Sequence, residues 1–175
     1  LTGQPERSDK AEAAYCKATE IDPAYAAPWN GLGNLLAEQP ERRDEAEAAY
    51  RKAIEIAPAY VAPWRNLGDL LVEQLGHLDE AEAAYRKVIE LNPTDLSSWS
   101  RLGSILVMQP GRSDDAESSF RKAIELDATN TLPWIGLSIV LATQPKRIDE
   151  AETALRKAIE LEPANGIAHG YLGLL

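Results

Sequence analysis

The sequence predicts an all-α fold, an α-solenoid of antiparallel helix hairpins. Three observations predict it. The 175 residues repeat with a period of 35, kept by Trp29, Trp64, Trp99 and Trp134, with His169 in the fifth place. Within each period, apolar and small residues recur at helical spacing and nowhere alternate as in a strand. Prolines and acidic residues punctuate each period at fixed places. A repeat of this length marks an array of modules, each too small to bury its apolar side alone.

The elements follow in order. Residues 1–25 read as an incomplete first repeat with only its second helix. Residues 26–60, 61–95, 96–130 and 131–165 read as four full repeats, and 166–175 as the start of another. In the cleanest copy, helix A is W-N-G-L-G-N-L-L-A-E from Trp29, where Trp29, Leu32, Gly33 and Leu36 share one face. Helix B is D-E-A-E-A-A-Y-R-K-A-I-E-I from Asp44, with Ala46, Ala49, Tyr50, Ala53, Ile54 and Ala57 on its stripe. Asp44 with Glu47, repeated in each copy, predicts a capping box at the start of B. Glu47–Arg51, Glu82–Arg86, Glu117–Arg121 and Glu152–Arg156 are i,i+4 pairs in the favourable orientation. Pro23, Pro58, Pro93 and Pro163 end helix B, and Pro28, Pro63 and Pro133 fit the first turn of helix A. The short A-to-B connection, Gln39 to Arg43, makes A and B antiparallel neighbours. Gly33, Gly68, Gly103 and Gly173 lie on the face of A opposite Ala46, Ala81, Ala116 and Ala151, which predicts close approach of the two backbones. Trp64 reads as a core anchor, its truncation to Ala costing about 3–5 kcal/mol.

Composition narrows the function classes. The chain has 28 acidic and 18 basic residues, a net charge of −10. It repels phosphate backbones, so nucleic acid and anionic membrane are not expected partners. No apolar run spans a membrane. The single Cys16 fits a reducing compartment, and a cytoplasmic location is expected. His77 and His169 are far apart in sequence, and no Cys/His cluster has metal-ligand spacing. Gly31–Leu32–Gly33 lies inside a helix and is no phosphate loop. No catalytic residue, metal or cofactor is expected, and the chain does not read as an enzyme.

The pattern W-x2-L-G-x2-L, then A-x3-Y, then P, resembles the tetratricopeptide repeat (TPR) over the whole chain. The copies here are one residue longer than the family's 34-residue unit, the extra residue lying in the A-to-B turn. The resemblance implies a right-handed superhelix with helix A lining a concave groove, and a scaffold that holds a protein or extended peptide there. It places Asn30, Asn34, Arg65, Asn66, Asp69, Ser100, Arg101, Ser104, Ile135 and Ile139 in the groove. That surface passes from polar to apolar along the array. One subtype of the family grips a C-terminal carboxylate with two lysines, two asparagines and an arginine. Here Asn34, Asn66 and Arg101 match three places, but Asn30 and Ser97 replace the lysines, and no such clamp is expected.

Two further readings stay beside the scaffold. Leu1 has the phase of Leu36, so residues 1–4 read as the tail of a helix A, and the chain as a fragment of a larger protein. The incomplete terminal repeats are complementary, which allows a structural element that self-associates head to tail. The third reading is the non-catalytic arm of a multidomain enzyme.

Overall fold

The computed structural model describes residues 4–74 and 76–175. Ten α-helices are described: α1 (Gln4–Ile21), α2 (Ala26–Ala37), α3 (Arg43–Ile56), α4 (Val61–Val72), α5 (Leu78–Leu91), α6 (Leu96–Val107), α7 (Ser113–Leu126), α8 (Thr131–Ala142), α9 (Ile148–Leu161) and α10 (Gly166–Leu172). The even-numbered helices are the A helices of the repeat and the odd-numbered ones the B helices. The chain divides into two compact units, Leu1–Leu91 and Asn92–Leu175. In the first, α2 packs on α3 and α4 on α5, with α1 against α2 and α3 against α4. In the second, α6 packs on α7 and α8 on α9, with α7 against α8, α9 against α10, and α6 also touching α8. Each unit is thus an all-α stack of antiparallel hairpins, as the period of the sequence predicts.

The reading of residues 1–4 as the tail of a helix A meets a correction at its one described residue. Gln4 begins α1, which runs unbroken to Ile21; residues 1–3 lie outside the described residues.

The four A-to-B turns share one hydrogen bond, from the N–H of Arg42, His77, Arg112 or Arg147 to the carbonyl of the Gln three places earlier. Two local solutions close it. Pro40–Arg42 and Pro145–Arg147 form a short 3₁₀ turn, proline supplying the required φ. In the other two copies Gly76 and Gly111 sit at φ 91 and 78, which a side chain would resist.

The capping box does not form at α3, α7 or α9. Their N-cap positions are Arg42, Arg112 and Arg147, and no side chain caps any of them. The preceding turn delivers the chain into helix before the aspartate, so Asp44, Asp114 and Asp149 sit within the first turn. There they act on the helix dipole rather than as caps. Side-chain caps occur instead on three A helices: Asp95 accepts from the N–H of Ser98, Asn130 from Leu132, and Asn165 from Ala168.

Trp64 is half-buried, which corrects its reading as a core anchor. Its indole N–H donates to the carbonyl of Pro58 at 2.9 Å. Trp29, Trp99 and Trp134 make the same bond to Pro23, Pro93 and Ala128 at 3.3, 3.0 and 3.0 Å. His169 reproduces it, with Nε2 3.0 Å from the carbonyl of Pro163. The aromatic ladder therefore closes the B-to-A turn in each copy, tying it to the carbonyl six residues back.

The core lies between the paired helices. Ala46, Ala53, Ala81, Tyr85 and Val88 are fully buried in the first unit, and Ala116, Ala123, Ala151, Ala154 and Ala158 in the second. Three of the four glycines expected to meet the alanine backbone, Gly33, Gly68 and Gly103, face aromatic rings instead, and Gly173 meets only the carbonyls of His169 and Gly170. A Cβ on Gly33 would lie 2.5 Å from the Tyr50 ring, on Gly68 2.8 Å from Tyr85, and on Gly103 2.9 Å from Phe120. The fourth full copy replaces both partners together: Leu155 stands where the aromatic ring is, and Ser138 where the glycine is. The smaller side chain leaves room for a Cβ, and the buried Ser138 hydroxyl donates to the carbonyl of Ile135 at 2.6 Å.

Candidate functional site

The two faces of the hairpin stack use their side chains differently. On the B helices, all four i,i+4 pairs form: Arg51–Glu47 and Arg121–Glu117 at 2.8 Å, Arg86–Glu82 at 2.9 Å and Arg156–Glu152 at 2.6 Å. Further pairs join successive repeats within a unit. Arg42 bridges to Glu12 at 2.8 Å and Arg51 to Glu80, while Arg147 holds Glu117 through both its terminal nitrogens at 2.6 and 2.9 Å. Glu117 answers to that grip. The guanidinium of Arg147, ahead of that of Arg121, pulls its carboxyl down to about 2 against the opposing effect of burial. The polar side chains of this face are largely paired with one another.

Cavities open on both sides: one of about 200 Å³ is lined by Arg121, Glu150, Thr153 and Ala154 of the B helices with Trp134, and others lie among the A helices. In the first unit, α2 and α4 bring Asn30, Asn34 and Asn66 into one network. The Asn66 amide donates to the Oδ1 of Asn30 at 3.0 Å and of Asn34 at 2.8 Å. Asn34 Oδ1 also accepts from the Tyr50 hydroxyl at 3.0 Å, and Asp69 accepts from the Tyr85 hydroxyl. Burial, and after it the Asp69 carboxylate, push the Tyr50 phenol up to about 12, which keeps it a donor. Asn30 is buried, and Arg65 is half-buried on the same helix as Asn66. A shallow cavity of about 150 Å³ opens beside Tyr50, Asn66, Asp69 and Glu73. Glu73 is held by Arg43.

In the second unit, a larger cavity of about 410 Å³ lies between α6 and α8. It gathers all five residues that the resemblance assigns to this part of the groove, Ser100, Arg101, Ser104, Ile135 and Ile139. Ile135 is mostly core, only 5% exposed, and packs with Leu155, Ala158 and Ala168. Ile139 is half-buried, while Arg101 and Ser104 are exposed.

The B helices contribute to both cavities, which sequence reasoning missed. Tyr50, Tyr85 and Phe120 reach past the helix-A glycines, and Tyr50 and Phe120 line the two cavities. Leu132, Asn130 and Gly136 of the larger cavity were missed as well. The signal was present in the repeat: position 120 breaks the run of tyrosine at 50 and 85, and glycine stands two places after the tryptophan at 31 and 136 but not at 66 or 101. Among the described residues, no group of three His, Cys, Asp or Glu side chains is placed to hold a metal ion. No described helix is long and apolar enough to cross a membrane.

The geometry has counterparts among known proteins. The model of the Cilia and flagella-associated protein 70 middle TPR-like domain matches residues 70–172, and the tetratricopeptide-repeat model matches residues 6–25 and 26–60. No curated protein sequence matches the chain significantly. Among solved structures, YrrB, described as a TPR protein with an unusual peptide-binding site, is 26% identical at a TM-score of 0.82, covering 98% of this chain and 86% of its own. MamA is 20% identical at 0.82, covering 91% of each chain. TTC0263, a thermophilic TPR protein of Thermus thermophilus, is 19% identical at 0.68, covering 98% of this chain and 91% of its own. The matched repeat models, the hairpins and their tryptophan, glycine and proline spacing agree, and the chain belongs to the tetratricopeptide-repeat family.

Proposed function

We propose that this chain is a protein-interaction scaffold that binds an extended peptide segment along its helix-A surface. The observation that carries the reading is the ground between A helices: a cavity of about 410 Å³ between α6 and α8 and one of about 150 Å³ beside α2 and α4, against B helices whose charges are largely paired with one another. Asn30, Asn34, Asn66 and Asp69 supply a polar stretch suited to peptide amides, and Ser100, Ser104, Ile135 and Ile139 a less polar one. The peptide-binding site ascribed to YrrB supports the same use of a related fold. No catalytic role is proposed.

A peptide-array screen tests the reading. Binding of a selected peptide is then measured for Asn34→Ala and Arg65→Ala, with Lys122→Ala on the exposed side of α7 as control. Weakened binding in the first two and unchanged binding in the third is expected. Unchanged binding in both helix-A variants removes this surface as the site.

A second reading, head-to-tail self-association, is favoured by two exposed apolar surfaces. Tyr15 of α1 is 36% exposed whereas its counterpart Tyr50 is 3%, and Tyr171, Leu174 and Leu175 flank an open cavity of about 240 Å³ beside α9. Light scattering over a concentration series decides it: a mass that rises with concentration and falls back in Tyr15→Asp supports it, and a constant monomer mass excludes it.

A further inference from the structure

We propose that the α6–α8 cavity is an anchor site for one bulky apolar side chain, aromatic or branched aliphatic, of the bound peptide. The inference rests on the peptide-binding reading above and adds its specificity.

Three exchanges against the first unit create the site. In the first unit the Tyr50 and Tyr85 hydroxyls bond the residue five places after the tryptophan of their own repeat, Asn34 and Asp69. In the second unit the ring is Phe120, and the residue at that place is Ser104. Both members of the polar pair are gone together. Ser104 donates instead to the carbonyl of Ser100, and Ser100 to that of Leu96, each at 3.1 Å, so both hydroxyl protons turn to their own helix. The third exchange is Gly136. Its counterpart Asn66 lays an amide across to Asn30 and Asn34, whereas Gly136 puts no polar side chain into the cavity.

The floor is rigid. Phe120 is 3% exposed and lies between two glycines: a Cβ on Gly103 would come within 2.9 Å of the ring and one on Gly136 within 2.3 Å. A ring held in this way fixes one apolar edge of the cavity and has little freedom left to lose when a ligand fills it. The wall is apolar for a separate reason. Helix α8 is T-L-P-W-I-G-L-S-I-V-L-A, without a charged residue or an amide. Its core face is used by Leu137, Val140 and Leu141, yet Ile139 faces the cavity and Leu132 is 62% exposed at the rim. A helix apolar on all sides is a helix that expects cover. The cavity's volume, about 410 Å³, lies within the range of pockets that take a whole small ligand, roughly 300–1,000 Å³, and so has room for a large side chain with the backbone beside it. A peptide rather than a free hydrocarbon fits the rim. Asn130 lines the cavity and accepts the Leu132 N–H with its Oδ1, and its NH₂ is a donor of the kind a peptide carbonyl beside the anchor would use.

The test uses the full chain and a peptide selected on the array. Each peptide position is replaced by Phe, Leu, Ala and Lys, and binding is measured by calorimetry. One position is expected to prefer Phe or Leu, with Ala weakening binding roughly tenfold or more, as hot-spot truncations do. Phe120→Tyr keeps the ring, as in the tyrosine copies, and adds a hydroxyl to the floor; Leu132→Asp charges the exposed rim without touching the core. Both are expected to weaken the parent peptide, yet to bind the Ala-substituted peptide as the unaltered chain does. A peptide with no position preferring a bulky apolar residue overturns the proposal, as does parent-strength binding by both variants. Loss of binding in Asn34→Ala and Arg65→Ala but not in these two leaves the peptide-binding reading standing and removes the anchor. Loss of self-association in Leu132→Asp, with peptide binding intact, assigns the cavity to a second copy and also overturns it.

Discussion

Tryptophan is the most visible residue of the repeat, and its visibility invites the wrong role. The spacing places Trp64 on the apolar face of helix A, but its indole lies only half in the core and its N–H is used on Pro58. The bond needs only a carbonyl left free at the mouth of the turn, since Trp134 makes it to Ala128 where the other copies have proline. His169 shows that the bond outlasts the indole. Trp64→Phe keeps most of the apolar contact and removes the donor, so a loss of about 1 kcal/mol is expected from urea unfolding. An unchanged midpoint would show that packing alone accounts for the residue. Ser98 illustrates a different compromise. It replaces the proline found at 28, 63 and 133, buries a hydroxyl with no partner, and offers its N–H to Asp95 in return.

At the scale of the element, the hairpin is decided by what helix A leaves empty. A mid-helix glycine costs about 1 kcal/mol relative to alanine. Here that cost is offset by seating an aromatic ring against the bare backbone. Gly68→Ala would bring its Cβ to 2.8 Å from the fully buried Tyr85 ring. Overpacking of this kind costs about 1–3 kcal/mol, more than the helix-propensity gain returns. Net destabilisation is expected in Gly68→Ala, with positive coupling to Tyr85→Leu, so that the double variant loses less than the sum of the singles. The chain already contains the coupled form in Ser138 and Leu155. Strict additivity in the double-mutant cycle would show that the ring and the glycine do not constrain each other.

At the scale of the molecule, successive repeats within each unit are joined by ion pairs between B-side residues, and these carry a pH dependence. Glu117 is held near 2, below its ordinary 4.5, by Arg147 and then Arg121. A lowered folded-state pKa favours the folded state when the group is ionised. Its contribution is fully present above about 4.5 and is lost as pH falls from there through about 2. Glu117→Gln is therefore expected to lower the urea midpoint at about pH 6, with the gap to the parent closing near pH 2. A gap of equal size at both pH values would mean that the pair contributes nothing through its charge.

Helix positions, hairpin pairing and the four i,i+4 ion pairs were legible in the residue order, because each depends on neighbours within one turn or one period. The family resemblance, not the spacing, implied that Ser100, Arg101 and Ser104 of α6 and Ile135 and Ile139 of α8 share one surface, and these five line one cavity. What the order of residues left undecided was the depth and partners of each side chain. Asp44, Asp114 and Asp149 look like caps until the preceding turn is seen to enter the helix two residues early. Tyr50 and Phe120 belong to the second helix of the repeat, yet they line the cavities of the first, because glycine opens a window between the helices. Periodicity is a property of one helix; a cavity is made by three, and its chemistry depends on which side chains meet across the gaps.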